Sequence, residues 1–101
     1  VTMAAVNCQI RTRITATLAL STPVVLAPMA LAAGGALAAA CARAGALGLV
    51  GGGYGDLSWV QKEYGLACSL AKKDMPRIGC GFITWKLDQN AAALDWVLNQ
   101  K

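Results

Sequence analysis

The side chains that could do chemistry in this sequence are few, and their spacing excludes several familiar kinds of site. The chain has no histidine, and its four cysteines are far apart, at Cys8, Cys41, Cys68 and Cys80. Zinc sites and dithiol redox centres need closely spaced cysteines, with or without histidine. The sequence therefore predicts no metal site, and we expect free thiols in a reducing compartment.

Three short segments at the ends of predicted strands are better candidates for a binding site. Residues 27–30, 51–54 and 81–85 contain glycine, alanine and methionine but few acids, bases or nucleophiles. Small residues allow a ligand to lie against the backbone, and ligands of parallel α/β folds bind at the carboxyl ends of the strands. These segments predict a binding surface for a flat cofactor ring, and they contain no candidate catalytic residue.

The elements that must position these segments alternate regularly along the chain. Short apolar runs predict three strands, at residues 24–27, 47–50 and 78–84. Alanine-rich or amphipathic stretches predict a helix after each strand, at residues 34–45, 56–73 and 91–98. Asp56 is the expected N-cap of the second of these helices. Strands joined in this way by helices are parallel, so the fold class is α/β with strands buried on both faces.

A high apolar content raises the alternative of a membrane span. The chain is 56% hydrophobic and 14% charged, and residues 24–42 carry no charge. Pro28 would break a helix there, and the adjacent Gly34 and Gly35 would weaken what remained. We therefore predict a strand followed by a helix, and no membrane partner.

The charge pattern bears on nucleic-acid binding and on cellular location. Nine basic residues against five acidic ones give a net charge of +4, and Lys72 with Lys73 is the densest basic spot. Nucleic-acid interfaces need basic residues clustered on one face, so none is predicted. Residues 1–21 contain Arg11 and Arg13 and are interpreted as an arm or an organellar presequence. Otherwise we expect a cytoplasmic protein.

Four ordered blocks of the sequence carry a family resemblance. They are TPVVLAPMA at residues 22–30, ARAGALG at 42–48, GGGYGD at 51–56 and GCGFITW at 79–85. Together they resemble the nitronate monooxygenase family, formerly grouped as 2-nitropropane dioxygenases. The resemblance implies that residues 22–101 are the first three βα units of a TIM (β/α)8 barrel. Such a barrel binds FMN and oxidises alkyl nitronates with molecular oxygen.

The resemblance also implies positions for the cofactor. Carried over by position, the residues against the flavin ring and its wall are Ala27, Pro28, Met29, Gly51, Gly52, Gly81 and Phe82. Gly81 is a departure, because some relatives have an asparagine there. Relatives also use a later histidine as base and bind the phosphate with glycine-rich loops near the last two strands, whereas this sequence has no histidine and supplies only the first three units. A complete barrel needs about 250 residues, so we expect 101 residues to be inactive alone.

Two alternatives stay open on the sequence. One is a related FMN barrel, such as a flavin-type enoyl-ACP reductase that uses NAD(P)H. The other is a non-enzymatic membrane or interaction protein, which the hydrophobicity favours. A dinucleotide-binding fold is disfavoured, because the glycines at residues 51–53 do not form a GxGxxG motif. Unpaired strand edges in a partial barrel also predict homo-oligomers.

Overall fold

Apolar runs bounded by proline and glycine form one parallel sheet. The computed structural model describes residues 10–100, except for the side chains of residues 74–76, so Cys8 lies outside the described part. The strands are β1 (Val25–Leu26), β2 (Leu47–Gly53) and β3 (Ile78–Phe82), in the order β1-β2-β3. Both pairs of neighbours are parallel, with Val25 opposite Leu47 and Gly48 opposite Ile78. The predicted α/β class and the parallel strands are confirmed.

Within residues 10–100, five α-helices and one 3-10 helix accompany the sheet. They are α1 (Arg13–Leu18), α2 (Gly35–Arg43), α3 (Leu57–Ala71), the 3-10 helix Lys72–Arg77, α4 (Thr84–Leu87) and α5 (Ala92–Leu98). Asp56 caps α3 as predicted, because its carboxylate accepts hydrogen bonds from the backbone of Ser58 and Trp59. The amino terminus of α2 is capped by a residue of another helix: the Gly35 N–H donates to the Glu63 carboxylate of α3 at 2.8 Å.

The core lies between one face of the sheet and the helices α2 and α3. Its buried residues come from β2, β3 and both helices: Ala38, Ala39, Ala42, Val50, Ala67, Ala71 and Ile78. Alanine leaves little side chain between the elements, so their backbones lie close together. A Cβ at Gly48 would collide with the Ala38 carbonyl of α2. Both helices therefore pack on the same face of the sheet.

The segment before β1 packs at the amino-terminal ends of the strands. Helix α1 is closed by a capping box between Thr12 and Thr15, and Leu20 just after it is buried. The Arg77 guanidinium donates to the Ala19 carbonyl at 2.9 Å, and the Ser21 N–H donates to the Gly45 carbonyl at 2.8 Å. These bonds attach the described part of the arm to the ends of strands β2 and β3.

Three details of the predicted elements were wrong. Strand β2 continues through Gly51–Gly53, because glycine N–H and C=O groups extend the ladder to β3 without side chains. Strand β3 ends at Phe82 and not at residue 84, because Thr84 and Trp85 belong to α4. Strand β1 is not buried on both faces, since Val25 is 41% exposed and Val24, just before the strand, is 53% exposed. The helices cover one face, and β1 has a single neighbour in the described sheet.

The long uncharged run does not form one helix. It divides into β1 and α2, as the breaks at Pro28, Gly34 and Gly35 predicted. Within residues 10–100, no helix combines the length and apolar character that a membrane span requires.

The contact between α2 and α3 gives a stability prediction with a matched control. A Cβ at Gly35 would collide with the Glu63 carbonyl and lie 2.9 Å from the Ala67 nitrogen. We expect Gly35→Ala to lower the free energy of unfolding by about 1–3 kcal/mol, because the crowding is against backbone. Gly65 in α3 has nothing within 4 Å of the same position, so Gly65→Ala should raise stability by about 0.5–1 kcal/mol. Urea denaturation of both variants measures this, and equal effects would contradict the packing.

Candidate functional site

The three strand ends meet at one edge of the sheet, and the loop after β1 lies across them. Gly51 of β2 is opposite Gly81 of β3. A Cβ at Gly81 would collide with the Pro28 ring, and one at Gly51 with the Met29 carbonyl. Because these two residues have no side chain, the loop can pack directly against the strand ends. Because side chains alternate along β3 and Ile78 faces the helices, Pro28 lies on the opposite face of the sheet.

The structure brings the seven predicted cofactor residues to this edge, in two different settings. Ala27, Pro28 and Met29 form the loop and are exposed, Met29 by 44%. Gly52 faces the Phe82 ring, which would be 2.5 Å from a Cβ there. The predicted glycines thus contact other residues of the chain, whereas the loop residues are exposed.

A cavity of about 320 Å³ opens beside these strand ends. Its lining residues are Ala30, Leu31, Gly51, Gly52, Gly53, Tyr54, Asp56 and Trp59. Only two of the predicted cofactor residues, Gly51 and Gly52, belong to this lining. The sequence analysis did not assign Leu31 or Trp59 to a site. The position of Trp59, three residues after the N-cap Asp56, was a usable signal, because side chains of a first turn point back towards the preceding loop.

Aromatic side chains line the cavity and lie next to it. The Trp59 indole N–H donates to the Gly51 carbonyl at 3.1 Å, which fixes the indole beside the strand end. Tyr54 packs edge-on against Trp85, with ring centroids 6.0 Å apart. Both of these rings stay more than half exposed, as does Leu31, whose φ of 64° is uncommon for a residue other than glycine. The edge is therefore apolar and open.

Carboxylates close the amino termini of both long helices near this edge. Hydrogen bonds from the Ser58 hydroxyl and from the backbone of Trp59 and Ser58 hold the pKa of Asp56 below its usual value. Glu63 accepts from Gly35 at the start of α2. A phosphate favours a helix amino terminus with free N–H groups. At α2 and α3 the negative charge of Glu63 and Asp56 disfavours such an anion.

Two of the described cysteines, Cys68 and Cys80, pack against the core. Cys41, Cys68 and Cys80 are free thiols. Burial raises the pKa of Cys68, and it raises the pKa of Cys80 to about 11. A thiol is nucleophilic only as the thiolate, so these two residues are unreactive near neutral pH. The described residues also contain no cluster of three metal-ligating side chains.

Comparison with known proteins adds no assignment to these observations. No protein-family model, no curated protein and no solved structure matches the chain. The function of the chain is therefore inferred from its fold and from the geometry of the strand ends.

The raised pKa of Cys80 predicts a loss of stability in alkaline solution. The unfolded thiol ionises near its ordinary pKa of 9.0, whereas the folded thiol ionises near 11. The contribution of Cys80 is therefore fully present below pH 9 and is lost as the pH rises towards 11. The difference in unfolding free energy between the native chain and Cys80→Ala should be constant from pH 6 to 8 and should shrink above pH 9. A difference that does not change with pH would contradict the burial of this thiol.

Proposed function

We propose that this chain supplies three βα units of a larger FMN-binding (β/α)8 barrel, an oxidoreductase of the nitronate monooxygenase type. The strand order β1-β2-β3 supports this proposal, because strands of such a barrel follow one another in sequence. The shared core of α2 and α3 supports it too, since barrel helices cover one face whereas doubly wound folds place helices on both. The exposed Val24 and Val25 then face further βα units or a second copy.

The observation that carries the cofactor assignment is the loop across the strand ends. Ala27, Pro28 and Met29 present a small, uncharged and exposed surface at the carboxyl edge, with Pro28 seated on Gly81. An uncharged isoalloxazine ring fits such a surface, because apolar contact needs no polar partner there. A bound flavin would supply the electron-accepting chemistry, and these residues would hold its ring.

The described residues fit the ring of FMN and not its phosphate. Asp56 and Glu63 place carboxylates at the helix amino termini that would otherwise attract an anion. In the proposed barrel, the phosphate is bound by other βα units. Because this chain is proposed to contact the ring alone, the cofactor assignment can be tested on the 101-residue chain by comparing flavins with and without the phosphate.

Riboflavin and FMN should bind to the chain with the same affinity, within about threefold, because only the ring makes contact. Flavin fluorescence and tryptophan quenching measure both affinities. Met29→Ala should weaken both about fivefold, since it removes a half-exposed apolar side chain from the proposed contact. The control is Leu98→Ala, which truncates an apolar side chain that is 57% exposed on α5. That change should leave both affinities unaltered.

Two results would overturn the cofactor assignment. One is the absence of flavin binding at millimolar concentration by a folded chain. The other is an equal loss of affinity in Met29→Ala and Leu98→Ala. The reaction itself is tested separately, by oxygen consumption with propyl nitronate in a protein that carries all eight βα units.

A further inference from the structure

The cavity beside the strand ends differs in chemistry from the proposed flavin surface. It is lined by Ala30 and Leu31 of the loop, and Ala27, Pro28 and Met29 are not part of its lining. Its volume of about 320 Å³ is at the lower end of the range for small-molecule pockets, roughly 300–1,000 Å³. It therefore has room for a ligand of its own that is smaller than FMN.

The charge in the cavity comes from one carboxylate. Among the lining residues, Asp56 is the one that is ionised at neutral pH, and no lysine or arginine lines the cavity. Lys86 lies outside the lining, with its ammonium group 6.0 Å from the Trp85 ring centroid and donating to Gln89. The cavity is thus negative and repels anionic ligands.

The two oxygens of Asp56 have different surroundings. Oδ1 accepts from the Ser58 N–H at 3.0 Å, from the Ser58 hydroxyl at 2.9 Å and from the Trp59 N–H at 3.3 Å. Within residues 10–100, no hydrogen bond is made to Oδ2. The carboxylate is therefore oriented through one oxygen, and the other oxygen is available to accept from a donor outside the chain.

Two aromatic rings share the cavity with this carboxylate. Trp59 is held in place by its hydrogen bond to Gly51, and Tyr54 by its edge-on contact with Trp85. Aromatic faces attract cations through their ring quadrupole, tryptophan most strongly. The cavity thus combines an oriented carboxylate with two positioned aromatic rings and an apolar glycine backbone. These groups are complementary to an organic ammonium ion that carries an apolar group.

We propose that the cavity is a binding site for a small arylalkylamine in its ammonium form. The ammonium group donates to Asp56 Oδ2, and the apolar part of the ligand lies between Tyr54, Trp59 and Leu31. This site goes beyond the proposed flavin function, because it uses a different set of side chains at the same edge of the sheet.

Three ligands of equal size and different charge test the proposal: benzylammonium, benzyl alcohol and benzoate. Nitrogen-15 NMR of the 101-residue chain at pH 7 follows the Trp59 indole N–H and the amides of Gly52 and Gly53. Benzylammonium should bind about tenfold more tightly than benzyl alcohol, because it adds the charge contacts with the carboxylate and the rings. Benzoate should cause no shifts at these positions.

Asp56→Asn separates ligand binding from helix capping. Asparagine is as good an N-cap as aspartate, so α3 should remain folded. The variant should bind benzylammonium about tenfold more weakly, close to the level of benzyl alcohol, because the charge is gone. Asp95→Asn, which removes an exposed carboxylate from α5, is the matched control and should leave the affinity unchanged.

The proposal fails if the three ligands bind equally, if none of them shifts the Trp59 indole, or if Asp56→Asn binds benzylammonium as well as the native chain. The last result would reduce Asp56 to a helix cap. Riboflavin titrations of the native chain and of Asp56→Asn should coincide. A failure of the amine site can therefore be told apart from a failure of the flavin surface.

Discussion

The close approach of α2 to β2 and α3 is the constraint on which the rest of the structure depends. At Gly35 and Gly48, backbone from a neighbouring element occupies the space where a Cβ would be. Alanine supplies most of the buried core, and Val50 and Val60 are the largest fully buried side chains. A core of such small residues holds only while the backbones stay in contact, because each side chain contributes little buried area.

This packing determines which surfaces the strand ends expose. With both helices on one face, the loop after β1 crosses the strand ends on the opposite face and rests on Gly51 and Gly81. The N-cap and first turn of α3 then bring Asp56 and Trp59 beside Gly51. One edge of the sheet therefore has two neighbouring surfaces, an uncharged loop and a cavity with one carboxylate. The flavin and amine proposals each follow from one of them.

Much of this architecture could be predicted from the sequence, because proline and glycine mark the element boundaries clearly. The three strands, the helix after each of them and the N-cap Asp56 were predicted from local sequence pattern. The convergence of the strand ends was predicted from the rule for parallel crossovers. The extension of β2 through Gly51–Gly53 was missed, since a glycine run has no side-chain pattern. The exposure of Val25 and the short helix α1 depend on tertiary neighbours, which local pattern does not specify. The cavity was missed for the same reason, because Leu31 and Trp59 are far apart in the chain.

The central claim is that the loop after β1 lies across the ends of β2 and β3 and joins them into one binding edge. Nuclear Overhauser effects between the Pro28 ring protons and the Gly81 α-protons test it directly. The account predicts a strong effect, because the Pro28 ring fills the space beside Gly81. The absence of this effect in a chain that shows the parallel β2–β3 contacts would contradict it.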